Sequence, residues 1–220
     1  MNFSFVTQYS DFIVVGTEYT IILAILAVVF GTIIGVALTL LRRCKFIAVR
    51  VIGNAYIEFI RGTPLLAQIY IIYIGVPILL AGHDIPDLAV GAIALSLNSA
   101  AYISETIRSG IEAVSKGQME AARSLGMNER TAMFDIILPQ AFKNILPALG
   151  NQFIGSIKDS SIVSVIGVAE LMYKITIVRG NTALGLEPIL VASFIYLMIT
   201  FTLSRALGVL ERKLRASDTR

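Results

Sequence analysis

The sequence predicts an all-α integral membrane domain of five membrane-spanning helices, with the N-terminus outside and the C-terminus inside. Three observations lead there. Of the 220 residues, 56% are hydrophobic and 15% charged, whereas soluble domains carry about 25% charge. Apolar stretches at about 17–41, 51–80, 88–111, 141–162 and 188–210 match the length of roughly 20 residues that a helix needs to cross a bilayer. Positive charge falls on alternate connections: Arg42, Arg43, Lys45 and Arg50, then Arg108, Lys116, Arg123 and Arg130, then Arg205, Arg212, Lys213, Arg215 and Arg220. Lys and Arg are retained on the cytoplasmic side. The chain reads as one transmembrane domain over 1–220, with a mean hydropathy of +0.79.

The same composition excludes several functions. A net charge of +3 reflects basic cytoplasmic loops and is no nucleic-acid footprint. The lone Cys44 cannot form an internal disulfide. His83 has no second histidine to join it in a metal site and is expected to be a solvated loop residue. Residues 1–16 contain no Lys or Arg, so no cleavable signal is expected. No G-x-x-x-x-G-K-[ST] occurs, so ATP is not bound here by a P-loop.

In chain order, residues 1–16 form a short outer segment carrying Asp11, and Glu18 interrupts only the outer end of the first span. Gly31 and Gly35 lie four apart on one face, the spacing for close helix contact. The second span holds Glu58 and Arg61, three apart, followed by Gly62-Thr63-Pro64. Pro64 cannot donate to the carbonyl of Ile60 and biases Thr63 out of helical dihedrals, so a break is expected. Charges in hydrocarbon cost about 2.5–3.5 kcal/mol each on insertion scales, so this pair should face the bundle interior or water. The outer loop Ala81 to Asp87 carries His83, Asp84 and Asp87.

The third span sets Asn98, Tyr102, Glu105 and Ser109 on one helical stripe. The fourth begins at Ala141, is loosened by Pro147, Gly150 and Gly155, and reaches Lys158-Asp159-Ser160-Ser161. Asp159 stands fourteen residues beyond Ile145, roughly 21 Å of helix, and so past mid-membrane. A second apolar stretch, Ile162 to Leu171, follows, then an outer connection from Met172 to Glu187.

The longest polar run is Gly117 to Pro139, GQMEAARSLGMNERTAMFDIILP. Glu120 to Leu125 has high helix propensity, Gly126 stands where a left-handed glycine ends a helix, and Asn128 can cap a second short helix. Two short helices at a sharp angle would make a compact cytoplasmic knob. Glu120, Ala121, Ala122, Gly126, Ile136 and Leu138-Pro139 fall at the spacing of the "EAA" loop in membrane subunits of ATP-binding cassette (ABC) importers. E-x-x-R-G-T-P-L-L from Glu58, L-N-S-A-A-Y-I-S-E from Leu97 and K-D-S-S from Lys158 extend the resemblance, to permeases for polar amino acids, over Gly16 to Glu211. Where many members read K-D-T-S this chain keeps the hydroxyl with Ser160.

The resemblance implies a type I importer permease in the bacterial cytoplasmic membrane, working as a homodimer or heterodimer. Each permease would carry one ATP-binding subunit, two per complex, and a solute-binding protein would deliver the amino acid from outside. ATP and Mg belong to the ATPase subunit, leaving no cofactor in this chain. No metal site and no catalytic residue are expected.

An amino acid in transit needs donors for its carboxylate and carboxylates for its ammonium groups. Glu58, Arg61, Asn98, Tyr102, Glu105 and Asp159 supply both signs. Asn98 and Arg61, with amides at the break near Thr63, are expected to hold the carboxylate. Glu58, Asp159 and Glu105 are expected to hold ammonium groups, although Arg61 could equally serve as the counter-ion of Glu58. Three carboxylates against one midplane Arg tilt the expected cargo toward basic amino acids, with glutamine or glutamate as the alternative. Two other readings use the same residues: an ion-coupled transporter with Glu58, Glu105 and Asp159 as a relay, and a scaffold whose polar stripes only join helices.

Overall fold

The computed structural model describes residues 1–80, 83 and 85–216, with the side chains of 215 and 216 left aside. Asp84 in the outer loop and Arg220 at the C-terminus lie outside the described residues. All regular structure among the described residues is helical: α1 (Phe5–Gln8), α2 (Ser10–Arg42), α3 (Ile47–Gly62), α4 (Leu65–Leu79), α5 (Asp87–Glu112), α6 (Lys116–Ser124), α7 (Glu129–Ala132), α8 (Leu138–Asp159), α9 (Leu171–Thr182) and α10 (Glu187–Ala216). A π-helical stretch, Met133–Ile137, joins α7 to α8, and a 3-10 stretch, Ser160–Ile166, follows α8.

By length and composition α2, α5 and α10 can each cross a membrane, and the number rises to five if each of two bent pairs is one span. One pair is α3 with α4, bent by 115°; the other joins Glu129–Ile166 to α9, bent by 52°. The break expected at Thr63-Pro64 is therefore an elbow, with Thr63 extended at φ −121°, ψ 150°. Two further boundaries depart from the sequence reading. Helix α2 starts at Ser10 rather than near 17, because Ile13 and Gly16 pack on α9. The outer connection from Met172 is mostly the helix α9, whose start is capped by Glu170.

Helices α2 and α5 form the central pair, and α8 packs on both. The two glycines spaced for close contact do make it. A Cβ on Gly31 would stand 2.8 Å from Ser99 Cβ, and one on Gly35 would stand 3.0 Å from the Ala100 carbonyl oxygen. Toward the outer end, Leu23, Ala27, Ile69, Val90, Ala94 and Val163 make one core; Leu38, Ile57, Ile60, Ala100 and Ala101 make another toward the basic end. Outward-facing apolar residues such as Ile33, Ile78, Phe194 and Leu197 stay exposed, as suits helices whose solvent is lipid.

Glu170, fully buried, ties the outer end together. Its carboxylate accepts from the backbone N–H groups of Met172 and Tyr173 at 2.9 and 2.7 Å, from Tyr196 Oη at 2.8 Å and from Thr20 Oγ1 at 3.4 Å. One side chain thus caps α9 and joins it to α10 and α2. Among the described residues no buried side-chain nitrogen or oxygen lacks a partner.

The α2–α5 contact can be tested at Gly35. Gly35→Ala must push a backbone carbonyl and is expected to destabilise by about 1–3 kcal/mol, the usual range for overpacking. Gly75→Ala, inside α4, meets nothing within 4 Å and should keep stability or raise it by up to about 1 kcal/mol. Thermal midpoints of the detergent-solubilised variants, read by size-exclusion chromatography, separate the two. Equal midpoints would mean the helices do not meet as closely as described.

Candidate functional site

The site begins with a hydrogen-bonding deficit. Pro64 has no N–H, so the last carbonyls of α3 lose a partner at the elbow. Gln68, on the first turn of α4 and 3% exposed, supplies it. Its Nε2 donates to Ile60 O at 2.7 Å, Thr63 O at 3.1 Å and Thr63 Oγ1 at 2.9 Å, sharing its hydrogens among them. Its Oε1 accepts from Asn98 Nδ2 at 2.8 Å. One glutamine thus holds the elbow closed and fixes the amide of α5 that faces it.

Beside this bridge lies a cavity of about 250 Å³ lined by Thr63, Leu65, Asn98, Tyr102, Gln152, Gly155, Asp159 and Ile162. That is the share of about eight liquid waters at ~30 Å³ each, room for one small polar molecule. Four segments build it: the elbow, α5, α8 and the 3-10 stretch. On α8, Gln152, Gly155 and Asp159 follow at intervals of three and four, one helical face. Gln152 donates to Ser99 Oγ at 3.3 Å, and Ser99 meets Ser156 at 3.4 Å, so α5 and α8 are joined by a polar seam next to the cavity.

Asp159 is the only charged side chain lining the cavity among the described residues. It is partly buried at the end of α8 and makes no hydrogen bond or ion pair among the described residues. The neighbouring Lys158 is exposed. A carboxylate taken partly out of water, with no hydrogen bond to the described residues and only the charge of the adjacent Lys158 near it, favours a cation beside it.

Of the six residues expected to handle substrate, the fold brings Asn98, Tyr102 and Asp159 to one cavity, with the Thr63 break among them. Glu105 lies one turn further along α5, where Arg42 Nη1 and Arg108 Nη2 hold its two oxygens, the latter at 2.8 Å, and Arg61 Nη1 stands 3.4 Å away. Arg61 therefore pairs with Glu105 and not with Glu58, and its guanidinium sits 6.0 Å over the Tyr102 ring. Glu58 is exposed, with no ion-pair partner among the described residues. Gln68 and Gln152 escape a reading that looks for charge. The unfilled carbonyl of Ile60 was the signal for Gln68, and the 152–155–159 spacing was the signal for Gln152.

The polar knob is equally defined. Helix α6 ends in a Schellman turn: Met127 N–H donates to Ala122 O at 3.1 Å, Gly126 N–H to Arg123 O at 3.0 Å, and Gly126 has φ +85°. Asn128 caps α7 by accepting from Thr131 N–H at 2.8 Å. Both helices expected from the sequence are present, but the second does not stand apart: it runs through the π-helical stretch into α8. Ala122 and Ala132 are buried at its base, whereas Glu120, Ala121, Leu125 (84% exposed) and Phe134 (67%) face outward.

Known proteins share this architecture. Residues 27–216 match the family described as binding-protein-dependent transport system inner membrane component. The arginine transport system permease protein of Bacillus subtilis is 40% identical, covering 99% of this chain and 99% of its own. A permease assigned to a glutamine transport system in Rickettsia bellii is 43% identical over 98% of this chain and 100% of its own. Among solved structures, an amino acid ABC transporter crystallised with histidines superposes with a TM-score of 0.93 at 43% identity, covering 97% of this chain and 99% of that one. A methionine ABC transporter in an inward-facing conformation, 17% identical, shares the fold with a TM-score of 0.77 over 94% of this chain and 98% of that one. The chain belongs to the family of binding-protein-dependent transport system inner membrane components, and is a permease subunit of an amino acid ABC importer, with no enzymatic activity of its own.

Proposed function

We propose that the cavity between the α3–α4 elbow, α5 and α8 holds the amino acid in transit, and that basic amino acids are its main cargo. Asp159 carries the reading: it is the one charge among the described lining residues and suits an ammonium or guanidinium group. Asn98, held by Gln68, presents its amide to the substrate carboxylate, and the extended backbone at Thr63 adds to it. Tyr102 forms the wall toward Arg61. Glu105, occupied by arginines, acts in this reading as their partner. The Gln152 amide and the glutamine-assigned relative support a second reading, in which the cargo is glutamine.

The knob from Gly117 to Pro139 is the grip for a separate ATP-binding subunit, on which ATP and Mg reside. Two such subunits, a second permease chain and an external solute-binding protein complete the assembly, in a bacterial cytoplasmic membrane crossed with the N-terminus outside. Closure of the ATPase pair moves the knobs, and the bundles rock about the fixed cavity. Driving force enters through the knob, whose second helix α7 runs through the π-helical stretch into α8, the helix that ends at Asp159.

Two outcomes are expected. Gly126 has open space around it, so Gly126→Val costs backbone strain, about 1–2 kcal/mol. With Glu120→Lys, it should abolish ATP-driven uptake into vesicles while leaving the chain inserted, and pull-down should show a weakened ATPase subunit contact. Unchanged uptake in both variants would remove the knob from the coupling role.

At the cavity, Asn98→Ala should impair every amino acid carried, since all share the carboxylate. Asp159→Asn should weaken handling of arginine by about 1–3 kcal/mol, the range for hydrogen bonds to charged groups, and glutamine by less. Substrate-dependent ATPase activity in reconstituted transporter reads both. Equal losses for arginine and glutamine would favour the glutamine reading, and retained activity in Asn98→Ala would exclude the cavity.

A further inference from the structure

A second polar cavity, of about 280 Å³, opens where the basic ends of α2, α3 and α5 meet, lined by Thr39, Arg42, Arg43, Asn54, Arg108 and Glu112. We propose that it holds the phosphate of an anionic phospholipid, whose acyl chain lies along α2.

The lining is a built polar site. Arg42 donates through Nε to Asn54 Oδ1 at 2.6 Å and pairs through Nη1 with Glu105. Arg108 donates through Nη1 to both oxygens of Glu112, at 2.9 and 2.8 Å, and through Nη2 to Glu105 at 2.8 Å. These bonds fix two guanidinium groups in place without neutralising the cluster. The lining holds three guanidiniums (Arg42, Arg43, Arg108) and one carboxylate (Glu112), and Glu105 beside it pairs with Arg61 as well, which leaves +2. Arg43 is exposed and makes no hydrogen bond or ion pair among the described residues, so its fork of donors is free for an anion. Planar guanidinium forks match phosphate oxygens in pairs.

The surface beside the cavity chooses the source of that phosphate. Ile33, Val36, Leu40 and Arg43 follow at intervals of three, four and three, one face of α2. The three apolar members are 61%, 44% and 65% exposed. Arg43 therefore heads an uncovered apolar stripe that runs into the hydrocarbon region. A free phosphate would use only the head of this arrangement; a phospholipid uses both. Basic pockets between membrane helices, on the side where positive charge is retained, suit anionic headgroups. The site shares no lining residue with the amino acid cavity, and its occupancy does not depend on which amino acid is carried.

The test is lipid retention by the full chain, purified with the partner subunits that accompany it from nanodiscs of equal phosphatidylglycerol and phosphatidylcholine, and read by native mass spectrometry. Wild type should retain phosphatidylglycerol at least threefold over phosphatidylcholine. Arg43→Gln, which breaks no internal contact, should bring the ratio to parity. Arg212→Gln, at an exposed arginine near the end of α10, should leave it unchanged. Equal retention of the two lipids by wild type would overturn the proposal, as would an unchanged ratio in Arg43→Gln or an equal loss in both variants. Inorganic phosphate, added at millimolar concentration, should not displace the lipid. Full displacement would assign the cavity to a free anion and overturn the lipid reading.

Discussion

The missing N–H of Pro64 shapes this molecule more than any single contact. It leaves the last carbonyls of α3 without partners inside a membrane, where an unsatisfied polar group costs several kcal/mol. The chain answers with a 115° elbow and with Gln68, whose amide takes the Ile60 and Thr63 carbonyls and in turn holds Asn98. Backbone that is irregular at membrane depth is tolerated only where protein or a water-filled cavity covers it. The elbow, the cavity and the fixed amide are thus one solution to one deficit, and the proposed amino acid site follows from it.

Charge is handled in a second place by the same logic. Glu105 would be costly alone in the bundle, and three arginines from α2, α3 and α5 converge on it. The cluster joins the helices around the cavity at their basic ends. Arg61 links the two regions, bonded to Glu105 and lying over Tyr102. Asp159 is the exception, a carboxylate with no such escort. In a structure where other buried polar groups are paired, that exception is the natural place for a charged cargo. The second helix of the knob, α7, runs through the π-helical stretch into α8 and so to Asp159, a continuous helical path from the knob to the cavity wall.

Much of this was legible in the sequence because it rests on local chemistry. Gly126 and Asn128 announce their turn and cap by residue type, and Gly31 and Gly35 their contact by spacing. Asn98 and Tyr102 share a helical face by arithmetic. What was not legible depends on neighbours far along the chain. Glu58 and Arg61, three apart on α3, read as a pair, yet Glu58 stays exposed and Arg61 pairs with Glu105 forty-four positions later. Glu105 shares a stripe with Asn98, but Arg42, from another helix, decides what it meets. Glu170 falls near the end of the apolar stretch Ile162 to Leu171, with nothing local to explain it until Thr20 and Tyr196 close on it. Spacing identifies faces; only tertiary packing says which charge on a face is spoken for.

The central claim is that the cavity between Thr63, Asn98, Tyr102 and Asp159 is where the amino acid rests. It is tested most directly by a structure of the assembled transporter bound to arginine. The account predicts density for one amino acid in that cavity, with its carboxylate toward Asn98 and its guanidinium or ammonium toward Asp159. Density placed instead among Arg42, Arg61 and Glu105, with the cavity holding only water, would contradict it.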